Sequence, residues 1–372
     1  MWHVEFADRR YAVHDSSVIP PLSTSYVDAR AAFLDAAAAA NARLTSVPHP
    51  RKGIDGEALF VDVAEVGPET GANVVIVVSG THGVEGYLGS ALQRHHLETI
   101  DADRSDGPTL IFVHALNPYG FSWVRRVNED NVDLNRNFGD WSQPMPENPR
   151  YADFAETLVP PSWSEEDQQR TLGTLLTAVE ELGIEELQQI VSGGQFDHPT
   201  GIFYGGTGPT WSNEWLSGFL AERLQGVDRA AILDLHTGLG PWGHGELISS
   251  EAPDNDAYER QTEWWNEVIS MQEGASVSAD LTGDWLGAVG VLMPDTELTA
   301  VAIEYGTVDP ISVLQSLRAD AVLHSSGDPT APEAKQIRDQ VRGAFLDDDP
   351  AWLEACWPRY RSVVTTSMER LG

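Results

Sequence analysis

The stretch VVSGTHGVEG, residues 77–86, runs an apolar strand directly into a glycine-flanked histidine and then a glutamate. His82 and Glu85 are three residues apart, and a backbone that bends between them can turn both side chains toward one metal ion. The same spacing recurs at His95 and Glu98 within LQRHHLETI, but we predict that this copy lies on a solvated helix face. Spacing alone leaves metal binding at His82 and Glu85 open against a capping or packing role.

Apolar runs alternate with helical stretches along the chain. Six runs are predicted strands: EALFVDVAEVG, NVVIVVSG, TLIFVHALNP, RAAILDLHTG, GELISS and TAVAIEYGT. Four stretches are predicted helices: residues 24–44, 85–98, 167–191 and 213–224. The middle strands are continuously apolar, as strands covered on both faces are. The alternation therefore predicts an α/β fold with a doubly covered, mostly parallel or mixed sheet.

The length of 372 residues is enough for one large α/β domain with a sizeable core or for two small domains, and we predict a single domain, residues 1–372. An N-terminal helix is expected within residues 20–45, and closing helices within residues 331–372. Residues 142–191 begin with a stretch rich in proline and acidic residues and read as an insertion between core strands. This insertion could form part of a lid, or be a surface excursion with no role.

Composition restricts the partners and the chemistry. A net charge of −34 repels nucleic acid and anionic membranes, and is typical of a solvated acidic surface. The single cysteine, Cys356, allows no internal disulfide, so a metal site must use imidazole and carboxylate ligands. Residues 1–21 lack the apolar core of a secretory signal, which makes the cytoplasm the default compartment.

Further polar side chains follow apolar strands elsewhere in the sequence. His236, in AILDLHTGLG, lies where a strand meets a glycine turn and could be a third metal ligand, although a lone histidine there is more often structural. Glu304, near the end of the strand in AVAIEYGT, is costly to bury unless it is paired or used as a general base. Its neighbour Tyr305 would point to the opposite side of the strand.

A dense polar cluster, RRVNEDNVDLNRNF, occupies residues 125–138. Arg136 is a planar donor suited to a carboxylate, Asn135 adds an amide, and Arg126 could polarise a carbonyl group. The alternative is a polar surface loop whose arginines pair with Glu129 and Asp130. That alternative does not explain so many amide and guanidinium groups directly after a strand.

Four motifs follow one another in a fixed order: His82-x-x-Glu85, NVDLNRNF, DLHTG and IEYGT. In this order they resemble the zinc metallocarboxypeptidase superfamily, which also contains the succinylglutamate desuccinylase and aspartoacylase amidohydrolases. The chain looks most like a bacterial branch catalogued as a domain of unknown function. The resemblance spans about residues 55–310 and implies a three-layer α/β/α sandwich around a mixed, mostly parallel sheet, with one catalytic Zn²⁺ per chain.

The resemblance also implies a role for each matched residue. The zinc ligands would be His82, Glu85 and His236. Glu304 would be the base that activates the attacking water and later protonates the leaving amine, and Arg126 would stabilise the oxyanion. Asp133 would orient His82, as outer carboxylates commonly orient metal-bound histidines. Two residues would hold a substrate carboxylate: Asn135 and Arg136.

One departure concerns the tyrosine that caps the substrate in carboxypeptidases, which lies between the third ligand and the base. Here that interval holds only Tyr258, within an acidic helical stretch, and Tyr204 precedes His236. The role transfers to neither residue, and a small-substrate amidase gains weight as a result.

The residues and the resemblance together predict a zinc-dependent, carboxypeptidase-like hydrolase that cleaves a peptide or amide bond next to a free carboxylate. The alternatives are an N-acyl amino acid deacylase or an esterase. A non-catalytic carboxylate-binding module is less favoured, because no ligand and no base is missing. The expected partner is a small molecule or peptide with a free carboxylate, not nucleic acid or a membrane. The oligomeric state stays open.

Overall fold

The computed structural model describes residues 18–70, 73–102, 104–273, 276, 281 and 283–372. The N-terminal residues used above to exclude a secretory signal lie largely outside this part of the chain. Eight strands form one sheet: β1 Arg43–Lys52, β2 Ala58–Val66, β3 Val74–Ser79, β4 Thr109–His114, β5 Arg229–Trp242, β6 Gly245–Ser249, β7 Val268–Ser270 and β8 Glu297–Gly306.

The strands lie in the spatial order β1-β2-β4-β3-β5-β8-β6-β7. The four central strands, β4, β3, β5 and β8, are parallel, and β7 runs parallel to β6. The pairs β1–β2, β2–β4 and β6–β8 are antiparallel. The sheet is therefore mixed and mostly parallel, as predicted.

Helices cover both faces of the sheet. They are α1 Tyr26–Ala39, α2 Gly86–Thr99, α3 Pro118–Trp123, α4 Tyr151–Leu158, α5 Glu165–Leu182, α6 Ile184–Ser192, α7 Trp211–Arg223, α8 Asp256–Trp264, α9 Trp285–Leu292, α10 Pro310–Ser326, α11 Ala334–Phe345 and α12 Pro350–Leu371. Successive residues of a strand face opposite sides of the sheet. Val75 and Val77 pack in one buried cluster with α1, α2 and α12, whereas Ile76 and Val78 pack in a second with α7 and α9. The predicted three-layer sandwich is confirmed.

Two predicted helices have different bounds in the structure. The helix predicted for residues 24–44 ends at Ala39, because Asn41 takes a left-handed conformation (φ 53°) and the chain then enters β1. The helix predicted for residues 167–191 is two helices, α5 and α6, separated by Gly183 with φ 86°. A glycine there lets the chain turn at low cost.

The interpretation of His95 and Glu98 as a solvated pair was wrong for the histidine. His95 is buried and its ring meets that of Trp357 edge-on, with centroids 4.5 Å apart. The reason is that α12 packs against α2 and covers this part of its surface. Glu98 is exposed, 3.8 Å from Arg94.

The predicted insertion holds α4, α5 and α6 and is attached to the rest of the domain. Tyr151 and Leu158 are fully buried, and the Tyr151 hydroxyl donates to the carbonyl of Ile202 at 2.9 Å. Arg318 of α10, also fully buried, donates from Nε to the Leu158 carbonyl at 3.0 Å. Within the described part of the chain, no helix is both long enough and apolar enough to cross a membrane.

Candidate metal centre

The predicted metal ligands and the predicted base meet at the carboxyl ends of three adjacent parallel strands. His82 and Glu85 follow β3, His236 lies on β5, and Glu304 on β8 is the register partner of His236. Ligand sites of open α/β sheets form at this edge. The fold therefore brings together residues that are far apart in the sequence.

The turn after β3 depends on two glycines. Gly80 has φ 67°, a conformation that other residues adopt at a cost. A Cβ atom on Gly83 would lie 2.0 Å from the carbonyl carbon of Gly120, so only glycine allows the two segments to approach. The close contact lets the Gly83 N–H donate to the Arg126 carbonyl at 3.1 Å, which fixes the loop that contains His82.

Three ligand atoms converge on one point. Nδ1 of His82 lies 2.9 Å from Glu85 Oε1, and Nδ1 of His236 lies 3.0 Å from Glu85 Oε2. The two Nδ1 atoms are 3.1 Å apart, and all three residues are buried. Tetrahedral zinc with bonds of about 2.0–2.1 Å spaces its ligands by about 3.3 Å. The donor types and their spacing fit zinc with only a small outward movement.

Each histidine is contacted by a buried aspartate at Nε2, the ring nitrogen that does not face the ligand point. Nε2 of His82 lies 3.1 Å from Asp133 Oδ1, the partner that the resemblance implied. Nε2 of His236 lies 2.6 Å from Asp234 Oδ2, a contact that the sequence analysis missed. Both aspartates are fully buried. The aspartates leave the two Nδ1 atoms free to face the ligand point.

Electrostatics favour charged groups at this point despite their burial. Burial opposes ionisation of Glu85, but His82 and His236 lower its pKa well below the usual range. Burial likewise opposes charge on His236, yet Asp234 and Glu85 raise its pKa well above the ordinary value. His236 therefore holds a proton, which a bound dication would displace, whereas Glu85 is already ionised.

Glu304 has the electrostatic character of a general base. The N–H of Leu239 donates to Glu304 Oε1 at 2.9 Å and fixes the carboxyl group. Burial, followed by the charge of Glu85, raises the pKa of Glu304 to about 7. Such a value suits proton transfer near neutral pH.

Arg126 spans two carboxylates of the centre. Its Nε donates to Asp133 Oδ2 at 2.9 Å, and its Nη1 to Glu85 Oε1 at 3.3 Å. Burial opposes its charge, but Asp133 and Glu85 raise the pKa of Arg126. The alternative of a surface loop fails here, because Glu129 pairs with His49, not with an arginine of the cluster.

Arg136 and Asn135 lie beside this centre with different hydrogen bonds. Arg136 is 2% exposed, and its Nε and Nη2 donate to the carbonyl of Ser192 while Nη1 donates to that of Asn135. Burial lowers the pKa of Arg136 to about 10. The side-chain Oδ1 of Asn135 is buried without a partner among the described residues. Each terminal nitrogen of Arg136 makes one of these hydrogen bonds and carries a second N–H group.

Phe203 is a neighbour of both arginines that the sequence analysis did not single out. Its ring centroid lies 5.5 Å from the guanidinium carbon of Arg126 and 5.4 Å from that of Arg136. Its φ of 56° is strained for a residue with a side chain.

The two tyrosines considered in the sequence analysis both take part in hydrogen bonds within the fold. The carbonyl of Tyr204 accepts the N–H of Asp133, and the Tyr258 hydroxyl donates to the Val268 carbonyl.

A family model described as "Protein of unknown function (DUF2817)" matches residues 22–359. The chain belongs to this family. The match confirms the predicted resemblance to a branch catalogued as a domain of unknown function. No curated protein matches the sequence of this DUF2817 member.

Several solved structures are similar to the DUF2817 chain. Bovine thrombin-activatable fibrinolysis inhibitor, in complex with tick carboxypeptidase inhibitor, is 10% identical, with 98% of this chain and 99% of that chain covered and a TM-score of 0.49. Carboxypeptidase A from Helicoverpa armigera is 14% identical over 88% and 75%, with a TM-score of 0.44. The murein-tripeptide amidase MpaA from Escherichia coli O157 is 14% identical over 80% and 98%, with a TM-score of 0.34. These likenesses are distant.

Proposed function

We propose that this protein is a zinc-dependent hydrolase that cleaves a peptide or amide bond next to a free carboxylate of its substrate. One observation carries the proposal. Two imidazole Nδ1 atoms and a carboxylate converge within hydrogen-bonding distance of one another, and a second carboxylate with a raised pKa, that of Glu304, lies on the adjacent strand. When bound, zinc would polarise the scissile carbonyl group and lower the pKa of a water molecule.

Glu304 and Arg126 would act on the reacting atoms. Oε1 of Glu304 accepts the Leu239 N–H, so Oε2 would take a proton from the attacking water and return it to the leaving amine. Arg126 is held by Asp133 and Glu85 through Nε and Nη1, and its Nη2 group would donate to the developing oxyanion.

Asn135 and Arg136 would hold the carboxylate of the substrate. The two N–H groups that Arg136 keeps after bonding to Ser192 and Asn135 would donate to it, together with the amide of Asn135. A local cation is needed here, because the overall charge of −34 otherwise disfavours anionic substrates. The expected substrate is thus a small molecule or peptide with a free carboxylate.

Deacylation of an N-acyl amino acid is the second candidate. In carboxypeptidases, the tyrosine that caps the substrate would lie between the third ligand and the base. Here the interval between His236 and Glu304 contains one tyrosine, Tyr258, and this scarcity favours the deacylase. The Tyr258 hydroxyl donates to the Val268 carbonyl at 3.0 Å and so has a structural partner. A peptidase that caps its substrate with tyrosine would need another source for that group.

Substrate screening with the zinc-loaded protein tests these proposals. The panel consists of dipeptides and N-acyl amino acids, each paired with its C-terminal amide, and of amino-acid esters. The Glu304→Gln variant serves as the control for contaminating hydrolases. Turnover of one class of acids, lost in Glu304→Gln, is expected. Zinc binding without turnover of any compound would instead favour the non-catalytic carboxylate-binding module.

A further inference from the structure

Asp234 lies behind one of the proposed metal histidines and has no assigned role. It precedes His236 by two residues on β5, so both side chains lie on the same face of the sheet. Its Oδ2 atom is 2.6 Å from His236 Nε2, and the residue is fully buried. A carboxylate in that position fixes the direction in which the imidazole presents Nδ1.

The donors that hold Asp234 differ from those that hold Asp133. The indole N–H of Trp285 donates to Asp234 Oδ2 at 2.6 Å, and the Thr81 hydroxyl donates to Oδ1 at 2.7 Å. Asp133, in contrast, accepts a hydrogen bond from the charged guanidinium group of Arg126. Among the described residues, Asp234 is thus oriented by two neutral donors, and its charge is directed to His236.

Each of the two donors is itself fixed in the fold. Thr81 is fully buried and directly precedes His82, so its hydroxyl joins the loop after β3 to β5. Trp285 is fully buried at the start of α9. The Asp284 side chain caps that helix at the N–H groups of Leu286 and Gly287.

We propose that Trp285 and Thr81 are positioning residues for His236 and act through Asp234. They hold the carboxylate at the distance and angle at which it orients the imidazole toward the metal. Loss of either hydrogen bond lets Asp234 rotate, so His236 loses its fixed direction. This inference rests on the proposed function, because it assumes that the centre binds zinc.

The test measures zinc affinity by competition with a chromophoric chelator, and the visible spectrum of the Co²⁺-loaded protein. Outer partners of metal histidines change metal affinity by about 10- to 100-fold. We expect about 10-fold weaker zinc binding in Trp285→Phe and Thr81→Val, about 100-fold weaker binding in Asp234→Asn, and an altered Co²⁺ spectrum in all three. Trp265→Phe is the matched control, since it removes a buried indole donor to the Val363 carbonyl away from the centre.

Two outcomes would overturn the inference, and they differ in what else they exclude. If the wild type binds zinc tightly and folded Trp285→Phe and Thr81→Val match its affinity and Co²⁺ spectrum, the positioning role is wrong and the zinc site stands. If the wild type itself binds no zinc, the proposed function falls as well. Circular dichroism checks the fold of each variant, and Thr81→Val provides the test if Trp285→Phe does not fold.

Discussion

Replacement of either proposed metal histidine is expected to abolish tight zinc binding. His82→Ala and His236→Ala each remove one of three converging ligand atoms, whereas the wild type should hold about one zinc ion per chain. His95→Ala is the control, because His95 is buried against Trp357 and, among the described residues, belongs to no group of converging ligand atoms. Elemental analysis of the purified proteins decides the matter. Full zinc occupancy in His82→Ala would contradict the ligand assignment.

Glu304→Gln should retain zinc and fold while turnover falls by roughly 10² or more, as expected for a lost general base. A base must be unprotonated, so kcat/KM of the wild type should fall as the pH drops through the pKa of Glu304. That pKa is about 7 in the metal-free protein, and a bound dication lowers it, which places the acidic limb at or below neutral pH. Near-normal turnover of Glu304→Gln would place the base elsewhere.

Arg136→Met tests the proposed carboxylate contact. A hydrogen bond to a charged group contributes about 1.5–3 kcal/mol, so kcat/KM for free-carboxylate substrates should fall roughly 10- to 150-fold. The matching C-terminal amides should be poor substrates of the wild type and little changed by the substitution. Equal hydrolysis of acid and amide by the wild type, with an equal effect of Arg136→Met on both, would assign Arg136 to bracing the Ser192 carbonyl.

Some hydrogen-bond partners of the site residues can be predicted from the sequence, and others cannot. Asp133 could be expected from the motif that contains it, and Asp234 from its spacing to His236, because residues i and i+2 of a strand share a face. Nothing near Trp285 in the sequence points to the metal centre. Its contact with Asp234 depends on how α9 packs against the sheet. That packing is set by the buried cluster that α9 forms with α7 and the central strands.

At the scale of whole elements, Arg318→Met should loosen the insertion that contains α4, α5 and α6. Arg318 donates to the carbonyls of Leu158 and Thr157 and to the Thr171 hydroxyl, all in the insertion. Unsatisfied buried acceptors cost about 1–3 kcal/mol each, so the free energy of unfolding should fall by about 3 kcal/mol. Urea denaturation measures this change, and limited proteolysis should cut faster within residues 142–191.

The control for this prediction is Arg170→Met, which removes a half-exposed arginine of α5 paired with Asp167. Exposed pairs contribute about 0–1 kcal/mol, so this variant should match the wild type in both measurements. Equal protection of the insertion in Arg318→Met and the wild type would show that apolar contacts alone attach it.

The strands differ among themselves in how well the sequence predicts them. The continuously apolar runs became β3, β4 and β5, because their composition suits burial on both faces. β1 was missed because RLTSVPHPRK is largely polar and contains two prolines, which an edge strand tolerates. β7 has only three residues and shows no period. These two strands are defined by pairing with neighbours rather than by their own composition.

At the scale of the whole molecule, the net charge of −34 predicts that salt stabilises the fold. Self-repulsion among the carboxylates destabilises the compact state, and the Debye length falls from about 10 Å at 0.1 M salt to about 3 Å at 1 M. The thermal midpoint should therefore rise with KCl and with NaCl alike at pH 7.5. The rise should shrink near pH 4, where carboxylates take up protons. A midpoint that falls with salt at pH 7.5 would contradict this view of the surface.

The positions of the proposed metal ligands and the proposed base in the sequence also imply an order in which they form during synthesis. Translation delivers β3 and β5 before β8, and β3 pairs directly with β5. His82, Glu85 and His236 can thus come together while the segment that contains Glu304 is still being synthesised. Under the proposed function, a nascent chain would acquire its metal before its base, so the unfinished protein could bind the ion without being able to cleave the molecules around it.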